Sequence, residues 1–342
     1  MKPKLSIVIP THNNIFLKDV LVAIIHCLGF SDDIQIVVVE NPEITEKTVK
    51  DIEDACGGRT HNIVHIQSKL GANAARNAGC QRADADIIAL IDDDCIVDCN
   101  WIHAVLSAHT IYPTAGIMGG PMRLIFKSDR PRWVESYFWS MLAGIDHGDG
   151  VVDFSHINDR YAGMIVSGNL TFKKRFFNQT DGFDETVGYI GKDSLMAHDE
   201  IRFIYECSQY GLPKKLYIGN IIVFHQIPKF RTEISYFLKR AYGDGYNFVK
   251  MIVNDKSNSH MTKEDIMVEY VLPRWGQGLN VGDITVVRQK IAHEESTRLY
   301  LTNIMQCKAE FVRGAFDYLN TTSVKSNMNR RTLLVIKQVN SI

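Results

Sequence analysis

Three consecutive carboxylates, Asp92, Asp93 and Asp94, directly follow the apolar run 87–91 (IIALI). Two unit charges about 4 Å apart repel each other by roughly 4 kcal/mol near a protein surface, so this crowding needs a compensating partner. Mg²⁺ and Mn²⁺ suit carboxylate oxygens and usually bridge to phosphate groups. The cluster therefore predicts a cation site that meets a phosphorylated ligand. A solvated acidic turn that caps the following helix through Asp98 or Asn100 is the alternative.

The position of each carboxylate depends on where the preceding strand ends. On a strand, alternate side chains share a face, so Asp92 and Asp94 would point one way and Asp93 the other. Asp94 is nearest to the following loop, which makes it the best candidate for a metal ligand.

The elements that carry these residues form a regular series. Ile/Val-rich runs at 5–10, 34–39, 62–66 and 87–91 alternate with helical patterns. Near-continuous apolar strands separated by helices predict an α/β fold with a mostly parallel sheet covered on both faces. In such sheets ligands bind beyond the carboxyl ends of the strands. The candidate segments are therefore PTHNN (10–14), ENPE (40–43) and DDD (92–94).

The composition bounds the class of partner. The chain has 342 residues, of which 45% are hydrophobic and 23% charged, and its formal net charge is −1. These values are ordinary for a globular protein and lack the basic excess that binds nucleic acid. We therefore expect no nucleic-acid partner, and an anionic ligand must be held locally.

Cysteine usage and hydropathy indicate the compartment. The seven cysteines are scattered without a Cys-x-x-Cys pair, which favours a reducing compartment over a disulfide framework. The first apolar run stops at Pro10, too short for a signal peptide, and no window approaches the roughly 18 apolar residues of a membrane span. We expect a cytoplasmic protein with no transmembrane segment, and peripheral membrane contact stays open.

Several motifs in order give a specific resemblance. The chain resembles the family 2 glycosyltransferases, whose catalytic domain has the GT-A fold, over roughly residues 4–230. The motifs that carry the resemblance are SIVIPTHNN (6–14), VVVEN (37–41), KLGANAARNAG (69–79), DDD (92–94), SGNLTFKKRFF (167–177), DGFDE (181–185) and HDE (198–200).

The resemblance implies a donor site and a cofactor. It implies that the aspartates meet the ribose and, through Mn²⁺ or Mg²⁺, the diphosphate of a nucleotide-sugar. The implied metal ligands are Asp94, Asp92 and His225, although a structural histidine is an equal alternative for His225. Glu40 stands where the family usually has Asp, which leaves the identity of the donor's nucleobase open. The implied donor-binding residues are Pro10, Thr11, Asn13, Glu40, Gly71, Arg76, Asp92 and Asp93.

The resemblance also implies a catalytic base. The family places it in an acidic pair at the start of a helix, where this chain has Asp199 and Glu200. Asp199 aligns with the base, but His198 replaces the usual Glu, so a shifted register would make Glu200 the base. Without the resemblance, both acids could simply favour the helix dipole. One base and no protein nucleophile imply a single displacement with inversion.

The implied function is transfer of one sugar from a nucleotide-sugar to a hydroxyl of a carbohydrate or glycoconjugate. UDP-sugars are the leading donors, and the implied pathway is polysaccharide or glycoconjugate biosynthesis. The domains expected are a GT-A domain at 1–230, divided into a nucleotide-binding half (1–100) and an acceptor half (101–230), and a mainly helical region at 231–342. The C-terminal helices could support a homo-oligomer. Within them, Gly243 and Gly245, which follow Arg240, predict a helix break, and a mobile loop that covers the diphosphate is the alternative.

Other functional classes stay open. A sugar-nucleotide nucleotidyltransferase also combines an α/β sheet with acidic metal sites, but it needs a Gly-rich basic loop after the first strand, which PTHNN lacks. The departure at His198 would suit a catalytically silent sugar-nucleotide-binding subunit. A metal site built from Cys95, Cys99 and His103, spaced four apart on a helix, lacks an evident fourth ligand.

Overall fold

The computed structural model describes residues 2–12, 15–58, 62–155, 165–186, 199–209, 214–254, 258–271, 295–323 and 328. The chain divides into two compact units. The first contains the described residues up to Lys127, those from Ala143 to Thr186, and Asp199–Ile227. The second contains Ser128–Leu142 and the described residues from Pro228 onward.

Two β-sheets form the framework of the first unit. In the described residues, the larger has the strand order β3-β2-β1-β4-β9-β6-β10-β8 and the smaller the order β5-β11-β7. The strands are β1 (Leu5–Thr11), β2 (Ile34–Glu40), β3 (Ile63–Gln67), β4 (Ile87–Leu90), β5 (Cys95–Val97), β6 (Ala115–Gly119), β7 (Met122–Phe126), β8 (Val151–Asp153), β9 (Leu170–Lys173), β10 (Lys214–Ile218) and β11 (Val223–Ile227).

The large sheet is mostly parallel, which confirms the predicted fold class. Strands β1 to β4 pair in parallel, as do β6 and β10, whereas β9 runs antiparallel between β4 and β6. The register of β1 and β2 sets Thr11 beside Glu40 at their carboxyl ends. Three of the four segments that follow β1 to β4 are those in which the sequence predicted a ligand site.

Helices cover the strands and account for their continuous apolar character. In the described residues, the α-helices of the first unit are α1 (Leu17–Ile25), α2 (Glu46–Cys56), α3 (Ala72–Arg82), α4 (Trp101–Ile111), α6 (Lys174–Phe177) and α7 (Asp199–Gln209), and those of the second unit are α5 (Ser136–Met141), α8 (Ile234–Asn254), α9 (Lys263–Ile266) and α10 (Glu295–Thr321). Ile7 shares a buried cluster with Leu21 of α1, and its neighbour Val8 shares another with Ala75 of α3. Both faces of β1 are therefore core, as expected for parallel strands.

Helix α3 lies unusually close to the sheet. A Cβ on Gly79 would lie 2.3 Å from Val8 Cγ1 and 2.9 Å from Val39 Cγ2. Only glycine permits this approach, which brings the first turns of α3 to the carboxyl ends of β1 and β2. In the described part of the chain, no helix is both long and apolar enough to span a membrane.

The second unit is built on the packing of α8 against α10. A Cβ on Gly245 would lie 1.8 Å from the Phe311 carbonyl oxygen, and one on Gly314 would lie 2.0 Å from the Tyr242 carbonyl oxygen. Each helix thus presents a glycine to the backbone of the other. The helix break predicted at Gly243 and Gly245 is wrong, because α8 continues through both and uses Gly245 for a close helix contact.

At the contact between α8 and α10, replacing glycine by alanine should have the opposite effect on stability from the one usually seen in a helix. Gly→Ala inside a helix normally stabilises by about 0.5–1 kcal/mol. Gly245→Ala should instead lower the free energy of unfolding by about 1–3 kcal/mol, measured by urea denaturation, because backbone atoms cannot move away cheaply. Gly150→Ala is the control, since a Cβ there meets nothing within 4 Å. A gain in stability for Gly245→Ala would refute the close packing.

Candidate functional site

The three aspartates lie in a turn and not on a strand. Strand β4 ends at Leu90, β5 begins at Cys95, and the Cys95 N–H donates to the Asp92 carbonyl at 3.0 Å. The alternation assumed from the sequence is therefore wrong for Asp92 and Asp94. The chain leaves the sheet before Asp92, so the alternation of side chains along a strand does not set the directions of the three carboxylates.

Two of the carboxylates are held by neighbouring elements. Thr11 Oγ1, at the end of β1, donates to Asp93 Oδ2 at 2.6 Å. Arg76 of α3 forms a salt bridge with Asp92 at 3.0 Å, with side-chain exposures of 5% and 32%. A Cβ on Gly168 would lie 2.9 Å from Asp92 Oδ2, so the 167–169 turn closes against this carboxylate. The buried guanidinium thus balances one charge of the trio.

The third carboxylate belongs to a group of metal-type donors. Asp94 Oδ2 lies 3.3 Å from His225 Nε2, and Cys95 Sγ lies 3.6 Å from Asp94 Oδ1. One donor atom from each of these residues lies within 4.8 Å of the others, and all three residues are buried. Among the described residues this is the one such group. It unites two of the predicted ligands, and Asp92 is outside it.

Strand pairing explains why these donors meet. His225 on β11 lies opposite Cys95 on β5 in an antiparallel ladder, and the Gln226 N–H donates to the Asp94 carbonyl at 2.9 Å. Carboxylate oxygens suit Mn²⁺, and neutral imidazole is a common metal ligand. Burial, reinforced by the Asp94 and Asp92 carboxylates, raises the pKa of the Cys95 thiol well above its ordinary value.

Cys95 was considered in the sequence only with Cys99 and His103 on one helix. The structure gives no such helix: Cys95 is on β5, and His103 is on α4, which begins at Trp101. The helical spacing was misleading because a strand and a loop occupy that stretch. Sequence adjacency to Asp94 was the available signal.

Glu40, predicted in the nucleoside pocket, accepts hydrogen bonds from protein groups around it. Thr48 Oγ1 donates at 2.7 Å, Thr45 donates through its hydroxyl at 2.7 Å and its N–H at 3.1 Å, and His65 Nε2 lies at 3.1 Å. Burial opposes the charged form, but the hydrogen bonds from Thr48 and Thr45 outweigh it and lower the pKa of Glu40. The carboxylate therefore joins the end of β2 to the start of α2.

The loops after β1, β2 and β3 are joined through Asn41, which is not among the predicted site residues. The Thr11 carbonyl accepts from the Asn41 N–H and from its Nδ2, both at 3.1 Å. Asn41 Oδ1 in turn accepts from the Gly71 N–H at 3.4 Å. Gly71 has φ 125°, a conformation that favours glycine. Pro10 lies one residue before this junction, opposite Val39.

Two asparagines of α3 fix the turn that precedes the predicted catalytic pair. The Asn77 amide accepts from the Phe183 N–H at 2.8 Å and donates to its carbonyl at 2.9 Å. Asn73 Nδ2 donates to the Asp184 carbonyl at 2.8 Å. Arg202 of α7 donates to Asp184 Oδ2 at 2.6 Å. The repeated Asn in ANAARNAG was the sequence signal for this clamp, and it was missed.

The predicted base lies at the start of α7. Asp199 is the first residue of this helix, and Glu200 is 8% exposed. Asn13, a predicted donor-binding residue, and His198 lie outside the described residues. Of the predicted site residues, the structure thus joins Asp92 to Arg76, Asp93 to Thr11 and Asp94 to His225.

A family model matches the first part of the chain. Residues 6–166 match the model of the family described as Glycosyl transferase family 2. Over these residues, which make up just under half of the chain, the protein is of the family 2 glycosyltransferase type. Its fold is GT-A, as in the solved structures it resembles. The resemblance noted from the sequence is confirmed.

The chain is similar to one curated relative and to three solved structures of two proteins. The glucosyl-dolichyl phosphate glucuronosyltransferase of Haloferax volcanii is 24% identical over 248 residues, covering 70% of this chain and 76% of that protein. The mannosyltransferase PcManGT from Pyrobaculum calidifontis, in complex with GDP-Man and Mn²⁺, has a TM-score of 0.57 at 16% identity, covering 94% of this chain and 89% of that one.

The second structure is S. aureus TarS. It has a TM-score of 0.51 at 13% identity over 92% of this chain, which spans 50% of the TarS chain. TarS 1–349 in complex with UDP-GlcNAc has a TM-score of 0.52 at 12% identity, covering 93% of this chain and 91% of that one. At these identities the structural likeness establishes the fold alone.

The contacts of Glu40 predict a pH-dependent stability. Because its folded pKa is lowered from 4.5, its stabilising effect is complete above that value and is lost as the pH falls through the folded pKa. Glu40→Gln should reduce the free energy of unfolding at pH 7 by about 1.5–3 kcal/mol. The gap from wild type should narrow as the pH falls below about 4.5, measured by urea denaturation at each pH. Glu43→Gln, at an exposed position, is the control, and a constant gap would refute the assignment.

Proposed function

We propose that the protein transfers a single sugar from a nucleotide-sugar to an acceptor hydroxyl, with inversion and with help from Mn²⁺ or Mg²⁺. The observation that carries the proposal is the Asp94–His225 pair at 3.3 Å, buried at the end of the loop that follows β4. It supports a cation site in the region where GT-A folds bind donors. The family 2 domain supports the reaction class.

The residues present fit the proposed cation. Asp94 and His225 would hold it, and Asp92 was predicted as a further ligand. When bound, the ion supplies positive charge that offsets the charge developing on the leaving diphosphate. Arg76 adds a fixed guanidinium beside Asp92. Because it is buried and also donates to Asn73 Oδ1 at 2.9 Å, it keeps its orientation when the ligand arrives.

The base is proposed to be Asp199, with Glu200 as the alternative. A carboxylate within about 3 Å of the acceptor hydroxyl takes its proton as the hydroxyl oxygen attacks the anomeric carbon. With no protein nucleophile, the attack is a single displacement that inverts the anomeric configuration. The contacts from α3 and α7 to the 182–186 turn support a fixed start for α7.

The donor is proposed to be a UDP-sugar. UDP-GlcNAc in the TarS complex supports this choice, and GDP-Man in the PcManGT complex makes GDP-sugars the comparison. The name of the Haloferax relative supports testing UDP-glucuronic acid with a lipid-linked glucosyl phosphate as acceptor. Such an acceptor would bring the protein to a membrane surface. The helical region 231–342 is proposed to shape the acceptor side or a homo-oligomer.

Donor and cation binding can be tested by thermal shift. UDP-glucuronic acid, UDP-GlcNAc and GDP-mannose are screened with and without Mn²⁺. A ligand at 100 times its Kd adds about 2.7 kcal/mol of stability, so one donor should raise the melting temperature clearly. Asp94→Asn should lose the part of the shift that depends on Mn²⁺. Asp86→Asn is the control and should keep the Mn²⁺-dependent shift, because Asp86 lies just before β4, at the other end of the strand from Asp94, and pairs with exposed Lys2. An equal Mn²⁺ response in Asp94→Asn would remove the cation site from this position.

Catalysis separates the two candidate bases. Replacing the true base should lower kcat by about 10²–10⁴-fold and leave the donor shift intact. We expect this loss in Asp199→Asn and a smaller change in Glu200→Gln, measured by release of nucleoside diphosphate with an acceptor present. The product anomer, read by NMR, tests inversion. Nucleotide-sugar synthesis from sugar-1-phosphate and nucleoside triphosphate would favour a nucleotidyltransferase, and binding without turnover would favour a silent subunit.

A further inference from the structure

Cys95 is a buried cysteine that lies beside two other potential metal ligands. Its Sγ is 3.6 Å from Asp94 Oδ1, and Sγ, the Asp94 carboxylate and a His225 ring nitrogen all lie within 4.8 Å of one another. Sulfur, oxygen and nitrogen donors therefore converge on one point. The carboxylate and the imidazole were expected from the sequence, whereas the thiol was not.

We infer that Cys95 is a third protein ligand of the proposed cation site. The site then has a mixed sulfur, oxygen and nitrogen donor set and takes thiophilic divalent cations such as Zn²⁺ and Co²⁺ in addition to Mn²⁺. This inference rests on the cation site of the proposed function. It adds a prediction about metal selectivity that the carboxylate–imidazole pair alone does not make.

The donor atoms are close enough together to bind one ion. Zinc–ligand bonds of about 2.3 Å to sulfur and about 2.1 Å to oxygen or nitrogen give tetrahedral edges of about 3.6 Å between sulfur and oxygen and about 3.4 Å between oxygen and nitrogen. The corresponding separations here are 3.6 Å from Cys95 Sγ to Asp94 Oδ1 and 3.3 Å from His225 Nε2 to Asp94 Oδ2. The two distances end on different oxygens of Asp94, so binding of one ion requires the carboxylate to turn between Cys95 Sγ and His225 Nε2, while all three donors already lie within 4.8 Å of one another.

The backbone keeps the donors together. Cys95 and His225 are partners across the β5–β11 ladder, and the Gln226 N–H to Asp94 carbonyl bond extends that pairing by one residue. Asp94, Cys95 and His225 are all buried, with relative exposures of 5%, 0% and 6%. Three protein ligands leave a fourth position for water or a phosphate oxygen.

The chemistry of sulfur determines the selectivity. As the S–metal bond forms, the Cys95 S–H bond breaks and its proton leaves to solvent. Thiolate ligands favour softer ions over Mg²⁺ and Mn²⁺. The alternative is that Cys95 only fills space, since it also shares a buried cluster with Ile91 and Trp101. That alternative predicts no bond between sulfur and metal.

Cobalt reports the bond directly. We expect Co²⁺ titration of the wild-type protein to produce a near-ultraviolet thiolate-to-metal charge-transfer band that is lost in Cys95→Ser and Cys95→Ala. Cys99→Ser is the matched control, because Cys99 is exposed and four residues away, and it should keep the band. Zn²⁺ affinity, measured by competition with a chelating dye, should fall by roughly tenfold or more in both Cys95 variants. Mn²⁺ affinity should change less than Zn²⁺ affinity.

The outcomes separate this inference from the proposed function. A wild type that lacks the band, or a Cys95→Ser protein that keeps it, overturns the role of Cys95. The Mn²⁺-dependent thermal shift, if it is still lost in Asp94→Asn, leaves the cation site standing. Cys95→Ala tests packing, since it removes the sulfur without adding a polar group. Unchanged Zn²⁺ affinity in a folded Cys95→Ala protein overturns the inference.

Discussion

Repulsion among three adjacent aspartates is the constraint on which the site depends. The chain meets it by giving each carboxylate a partner from a different element. Thr11 comes from the end of β1, Arg76 from α3 and His225 from β11. These elements reach the aspartates only because the parallel strands end at one edge and α3 packs closely on the sheet. The arrangement of the charges therefore depends on the whole first unit and not on the turn at 92–94 alone.

The sequence predicted the features that depend on local pattern. Strand β1 is core on both faces, with Ile7 in one buried cluster and Val8 in another, and that requirement is visible as an unbroken apolar run. The meeting of Asp94 and His225 is different, because the two are 131 residues apart. Only the resemblance to family 2 glycosyltransferases joined them, since no spacing rule connects a turn after one strand to a strand in another sheet.

What the sequence could not give was set by contacts between distant segments. Gly245 suggested a break by helix propensity, yet its purpose is a close approach to the Phe311 carbonyl, which no local window contains. The spacing of Cys95, Cys99 and His103 suggested one helix, but β5 begins at Cys95. In both cases a tertiary contact, and not the local sequence, determines the conformation at the residue.

Helix α3 links the two chemical tasks of the proposed reaction. Asn73, Arg76 and Asn77 are spaced to share one face of a helix. From that face, Arg76 holds Asp92 on the proposed diphosphate side, while the two asparagines hold the 182–186 turn. Arg202 continues the connection from that turn to α7. A displacement of α3 would therefore move the guanidinium that balances the aspartates, and it would also disturb α7, the helix that carries the proposed base. The close packing at Gly79 thus matters for the proposed reaction as well as for the fold.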